Sequence, residues 1–215
     1  TESDIQMLVK LARYIRFEGP IHIYKNGVKS FYAKGKTCVL CFCNTRLSKA
    51  LKRHGCHPDK THVLRFPEID SSVISHFMRG FIEGDGHFCY TAKNKFNIGL
   101  LGTHEFMQRT KLVFKTTLGI DINLISTPYK WMSRFCKGKR LEVMRILDWI
   151  YKDCEDMYLE RKYKEYLRMK QIHATKPLKR IEWTIRRDGR PRKGTPFGPR
   201  KSKIMEPSKG CISRG

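Results

Sequence analysis

The amino-acid sequence predicts an α+β fold built from two related halves, and three observations carry that expectation. Segments with helical hydrophobic spacing alternate with segments of two-residue spacing. An order of helix, glycine, two strands and helix occurs twice, from Ser3 to Gly55 and again from Thr103 to about Lys152. Beyond Ala174 the composition changes to Lys, Arg, Pro and Gly, which predicts a segment with little core of its own.

Taken in order, Ser3 caps a helix to about Phe17, with Ile5, Leu8, Leu11, Ala12 and Ile15 on its apolar face and Gly19-Pro20 as its stop. Ile21 to Lys25 and Thr37 to Cys43 read as strands joined through Asn26-Gly27, and a helix from Thr45 to His54 ends at Gly55. Asp70 or Ser71 caps the next helix, where Val73, Ile74, Phe77, Met78, Phe81 and Ile82 recur at helical spacing.

After Gly86 the period becomes two. Phe88, Tyr90 and Ala92 alternate with His87, Cys89, Thr91 and Lys93, and Lys93-Asn94-Lys95 turns the chain into Phe96 to Leu101. Thr103 caps a helix to about Leu118, closed by Gly119; Ile120 to Ile125 and Tyr129 to Cys136 follow as strands. Helices from about Arg140 to Lys152 and from about Glu155 to Gln171 complete the folded part. In the repeat Ser3 corresponds to Thr103, Met7 to Met107 and Gly19 to Gly119, but only the second copy is preceded by a helix and hairpin. The expected organisation is a partial first half over 1–68, a complete second half over 69–173 and a basic, unfolded tail over 174–215. The chain opens at Thr1 as if inside a folded unit, which suggests a fragment.

Lys and Arg number 44 against 20 Asp and Glu, a formal net charge of +24. That excess suits a polyanionic partner, nucleic acid first. A membrane is disfavoured: no apolar run approaches the ~20 residues a spanning helix needs, and no signal peptide is visible. The cysteines fall mainly in apolar or alternating segments, which fits a reducing intracellular compartment better than a disulfide scaffold.

Met78-Arg79-Gly80-Phe81-Ile82-Glu83-Gly84-Asp85-Gly86 is the segment that carries chemistry. His76, Gly80 and Gly84 are four residues apart on one helical face, and the two glycines allow another helix to approach closely. Asp85 comes at the helix C-terminus, where unpaired carbonyls and the negative end of the dipole favour a cation such as Mg²⁺. Gly86 permits the turn that follows.

This segment resembles the signature of the LAGLIDADG homing endonucleases. The stretch His76 to Phe88 is similar to the second motif of their two-copy members, with Lys60-Thr61, Phe66-Pro67, Trp149-Ile150-Tyr151 and Arg161-Lys162-Tyr163 adding to the likeness over roughly Ser3 to Gln171. The resemblance implies αββαββα half-domains packed through their motif helices, with antiparallel sheets forming a saddle on double-stranded DNA. It implies that Asp85 and the Gly84 carbonyl bind Mg²⁺ or another divalent cation for hydrolysis of DNA phosphodiesters, while Glu83 is structural. A basic strand residue then aids catalysis: Lys137, with Arg134 as second candidate.

For base readout in the major groove the strand faces offer His87, Thr91, Lys93, Lys95 and Asn97, with Lys130 and Arg134 from a later strand. Cys89 reads as packing. Only one motif is visible, so the second motif helix is expected from upstream sequence or another chain. The competing reading keeps the fold without cutting, as an intron RNA maturase or a transcriptional regulator.

Weaker signals accompany these. Cys38, Cys41, His54 and His57 approach zinc-finger spacing, although the last interval is one residue short and Cys38 to Cys43 reads as a strand. Gly189-Arg190-Pro191 resembles an AT-hook core and equally a generic phosphate-binding tail. Tyr158, Tyr163 and Tyr166 read as helix packing.

Overall fold

The computed structural model describes residues 4–25, 36–58, 62–175, 183–185 and 191–193. The chain forms two compact units, Thr1–Thr175 and Lys176–Gly215. In the first, helix α1 (Ile5–Tyr14) is followed by strands β1 (Ile21–Lys25) and β2 (Lys36–Leu40) and helix α2 (Thr45–Arg53). A 3-10 turn (Ser71–Val73) leads into α3 (Ile74–Gly84), then β3 (His87–Tyr90), β4 (Phe96–Thr103), α4 (His104–Leu118), β5 (Ile125–Ser126), β6 (Met132–Lys137), α5 (Arg140–Tyr151) and α6 (Glu160–Thr175). From α3 to α5 the order is αββαββα. In the second unit β7 (Trp183–Ile185) pairs antiparallel with β8 (Pro191–Lys193), so a short hairpin occurs where the composition predicts no order. The AT-hook-like Gly189-Arg190 and the Asn26-Gly27 turn lie outside the described residues, as do Ser3 and Lys60-Thr61.

β1 and β2 form an antiparallel pair, and β3, β4, β6 and β5 form an antiparallel sheet in that order. The alternation along each strand decides which face is covered. Phe96, Ile98 and Leu100 of β4 and Phe135 of β6 are buried among the helices with Phe106, Phe114, Ile146 and Leu147. At roughly 25 cal/mol per Å² of apolar surface, that one-sided burial is the main term holding the sheet against the helices. The outer face is left to His87, Cys89, Asn97, Leu101, Arg134 and Cys136.

Local chemistry fixes the elements. The Thr103 hydroxyl accepts from the Phe106 amide at 3.2 Å, and Gly119 closes α4 in the left-handed region at φ 63°. Asp70 caps the approach to α3 by accepting from the Ser72 amide at 2.8 Å.

Several expected elements change, among them the second strand, which ends at Leu40 instead of Cys43. Ile120 to Ile125 is not one strand: Ile120 and Ile122 alternate into the core, but only Ile125 and Ser126 find a ladder partner. β6 starts at Met132, because Tyr129 to Trp131 form a turn closed by the Met132 amide on the Tyr129 carbonyl. The last helix starts at Glu160 instead of about Glu155, which has φ 46° and sits in a turn whose Met157 carbonyl accepts from Arg79. Among the described residues no helix is long and apolar enough to cross a membrane.

Candidate functional site

α3 divides its residues by face. Met78 and Ile82 are fully buried, and beside them Arg79 and Glu83 are buried with every charge answered. Arg79 donates to the Ile150 carbonyl at 2.9 Å and the Met157 carbonyl at 3.0 Å, and its remaining nitrogen lies 2.9 Å from His76 Nδ1. Glu83 accepts from Tyr151 Oη at 2.7 Å and the Leu159 amide at 3.1 Å. Burial pushes the Glu83 carboxyl above its ordinary value, and these donors only partly oppose it. The charged pair thus serves to fasten α3 to α5 and to the turn before α6.

The opposite face is open. Gly80 and Gly84 are exposed, and a Cβ at either would meet nothing within 4 Å. Cavities flank this face on both sides, one of about 560 Å³ between His76, Gly80, Met7 and Tyr14, the other of about 1060 Å³ between His76, Gly80, Phe81, Asp85, Leu11 and Leu101. Of the expected helix-interface residues, His76 and Gly80 line both cavities, opposite Met7, Leu11 and Tyr14 of α1, and Gly84 follows one turn on as an exposed helix position.

At the C-terminal end the Asp85 amide bonds the Phe81 carbonyl at 2.9 Å and the Gly86 amide bonds the Ile82 carbonyl at 3.1 Å, carrying the helical pattern to the turn. Asp85 is exposed, and among the described residues no hydrogen bond or ion pair ends on its carboxylate. Gly86 is required by close approach: a Cβ there would stand 2.8 Å from the Ile82 carbonyl oxygen and 3.1 Å from that of Gly99. This crowding turns the chain at once from α3 into β3 and sets Asp85 where the groove meets the sheet.

On the outer sheet face His87, Asn97 and Cys136 form a polar group. The His87 ring lies over Gly99, where a Cβ would come within 2.4 Å of it. His87 Nε2 is 3.3 Å from Asn97 Nδ2, and the Cys136 thiol donates to Asn97 Oδ1 at 2.9 Å. Burial, with the Lys162 ammonium behind it, holds the His87 imidazole below its ordinary value. Arg134 stands on the same outer face, opposite Leu101 and Ile125.

The other expected residues are placed differently. Thr91, Lys93 and Lys95 are not on a strand but in the β3–β4 turn, closed by the Thr91 amide on the Lys95 carbonyl at 2.8 Å, with Asn94 left-handed at φ 58°. Lys130 is exposed in the β5–β6 turn, its carbonyl 2.6 Å from His104 Nε2. Lys137 lies on the helix side of β6: its Nζ is 2.6 Å from Glu142 Oε2 and donates to the Asp121 carbonyl at 2.6 Å. Lys137 and Arg134 are three positions apart on one strand and so occupy opposite faces.

Sequence reasoning passed over Cys136, whose outer position follows from the two-residue period of β6. Lys162, noted in the sequence only within Arg161-Lys162-Tyr163, reaches the Ile82 and Gly86 carbonyls at the end of α3, a long-range contact with no local signal. Among the described residues no three or more His, Cys, Asp or Glu side chains are grouped to hold a metal, so Cys38, Cys41, His54 and His57 make no such cluster. Asp85 and the Gly84 carbonyl are oxygen donors of the kind Mg²⁺ prefers.

No family model matches the chain, and no curated protein does. Among solved structures the chain is similar to the LAGLIDADG homing endonuclease I-GzeII in complex with its DNA target, at 12% identity and a TM-score of 0.46 over 80% of this chain and 77% of that one. It is similar to the LAGLIDADG homing endonuclease I-SmaMI bound to cleaved DNA, at 13% identity and a TM-score of 0.35 over 80% of this chain. It spans 57% of that enzyme, less than two thirds of its length. The archaeal intron-encoded homing endonuclease I-Vdi141I complexed with DNA matches at 13% identity and a TM-score of 0.37, over 49% of this chain and 69% of its own.

Proposed function

We propose that this chain carries one half of the active site of a site-specific, metal-dependent endonuclease for double-stranded DNA, of the homing endonuclease kind. The observation that carries the reading is the Asp85 carboxylate, exposed and without a hydrogen bond or ion pair among the described residues, at the end of α3, where an open helix face meets the polar outer face of a sheet. Asp85 and the Gly84 carbonyl hold Mg²⁺ or another divalent cation. The chemistry such a cation supplies is polarisation of the phosphodiester and activation of water.

The protein's own groups do the rest. His87, Asn97, Cys136 and Arg134 face the base edges of the major groove, and Lys93, Lys95 and Lys130, on turns, meet phosphates. Arg134 is the basic strand residue already on the DNA side; Lys137 joins it only by leaving Glu142. The groove over His76, Gly80 and Gly84 takes a second motif helix, from residues outside these 215 or from another chain, which brings the second carboxylate.

A non-cleaving nucleic-acid-binding protein of the same fold, an intron RNA maturase or a transcriptional regulator, is the second reading. It is favoured by the single acidic motif and by the ion pair that occupies Lys137. The two separate in one experiment. The chain, alone and assembled with a second motif helix, is incubated with a plasmid library of randomised inserts in Mg²⁺, and bound and cut species are sequenced. The endonuclease reading expects cuts that vanish in EDTA and in Asp85→Asn while binding persists; selective binding with no cuts favours the second.

A further inference from the structure

Three contacts spaced three residues apart fasten α6 along the junction of α3 and β3. The Leu159 amide, just ahead of α6, donates to Glu83 at 3.1 Å; Lys162 Nζ donates to the Ile82 carbonyl at 2.9 Å and the Gly86 carbonyl at 2.5 Å; Glu165 accepts from the Tyr90 amide at 2.9 Å. Lys162 and Glu165, three residues apart, project from one side of α6, and the Leu159 amide lies just before its first turn, so the helix lies along the junction as a splint. Lys162 is its centre, half-buried with its ammonium 5.6 Å above the Phe88 ring. The carbonyls it holds belong to the residues on either side of Glu83-Gly84-Asp85, so the clamp takes up neither the Gly84 carbonyl nor the exposed Asp85 carboxylate.

We propose that Lys162 is a positioning residue for the metal-binding end of α3: by clamping Ile82 and Gly86 it fixes the direction in which Asp85 and the Gly84 carbonyl point. This rests on the reading that Asp85 binds a divalent cation. Two effects of the lysine have opposite sign. As a cation near the site it repels a second cation, so loss of its charge alone would tighten metal binding. As a clamp it holds the ligands in place, so its loss weakens binding, as removal of outer groups that orient metal ligands commonly does.

The sign is measurable without DNA cleavage. Mn²⁺ is titrated into the full chain and free ion is read by electron paramagnetic resonance, for the unaltered protein, Asp85→Asn, Lys162→Met and Lys162→Arg, with thermal unfolding of each. The proposal expects Asp85→Asn to abolish Mn²⁺ binding, Lys162→Met to weaken it roughly tenfold in a folded chain, and Lys162→Arg to recover most of the loss. If Lys162→Met does not fold, Lys162→Gln, which keeps a donor, is read against the same criterion. Mn²⁺ binding unchanged or tightened in the neutral variant overturns the proposal. Binding indifferent to Asp85→Asn overturns the reading of Asp85 itself, and this inference with it.

Discussion

Tyr151 donates its phenolic proton to Glu83 across 2.7 Å, joining the last buried turn of α5 to the acidic residue that precedes the candidate metal ligands. Both residues are buried, at 4% and 3% exposure, so no water replaces the bond when it is lost. Tyr151→Phe therefore lowers stability by about 1–3 kcal/mol, read by thermal or urea unfolding. A melting temperature equal to that of the unaltered chain would show that Glu83 does not depend on this donor.

How legible such features were in the sequence depends on the range of the interaction. The Thr103 cap and the Gly119 stop are local and were read directly. The alternation from His87 to Tyr90 likewise put Phe88 inside and His87 outside. The turn at Lys93-Asn94-Lys95 is local and legible too, with Asn94 left-handed at its centre, whereas Thr91 continues the alternation of β3 yet belongs to the turn, because its amide closes on the Lys95 carbonyl. Lys137 was assigned by its place at a strand end, although the period that exposes Arg134 turns Lys137 inward to Glu142. Lys162 and Tyr151 act on α3 across 76 and 68 residues of chain, and no periodicity within a helix records such a partner.

The Lys137–Glu142 ion pair makes stability depend on acid. Burial raises the Glu142 carboxyl, but the Lys137 and Lys139 ammonium groups overcome it and hold the carboxyl below 4.5. A depressed carboxylate adds stability that is complete above its unfolded value and lost as pH falls through its folded one. Glu142→Gln should cost up to about 1 kcal/mol at neutral pH, and the gap from the unaltered chain should close as pH drops below 4.5. Urea titrations across that range measure it; a constant gap would contradict the assignment.

Gly80 separates the needs of this chain from those of a helix pair. With open space where a Cβ would lie, Gly80→Ala should stabilise the isolated chain by about 0.5–1 kcal/mol, the ordinary gain for glycine in a helix interior. Against a closely packed second helix the same methyl is overpacking and costs about 1–3 kcal/mol. Unfolding of the chain alone, beside unfolding of an assembly with a second motif helix, should show opposite signs; equal signs would mean that no helix packs there.

Phosphate contacts and base contacts predict different salt behaviour. Lys93→Ala and Lys95→Ala should each reduce the slope of log affinity against log salt by about 0.9, on any duplex. Asn97→Ala should leave the slope unchanged and lower affinity only for a selected site. Fluorescence anisotropy over a salt series distinguishes the two, and an unaltered slope in the lysine variants would remove the β3–β4 turn from the DNA surface.

The central claim is that the end of α3 holds a divalent cation through Asp85, and the most direct measurement locates the ion by its chemistry. Fe²⁺ is bound in place of Mg²⁺, ascorbate and oxygen generate radicals at the bound iron, and the fragments are mapped by mass spectrometry. The account predicts backbone scission around Glu83 to His87 that excess Mg²⁺ suppresses and Asp85→Asn abolishes. Scission elsewhere in the chain, or a cut at this turn that persists in Asp85→Asn, would contradict it.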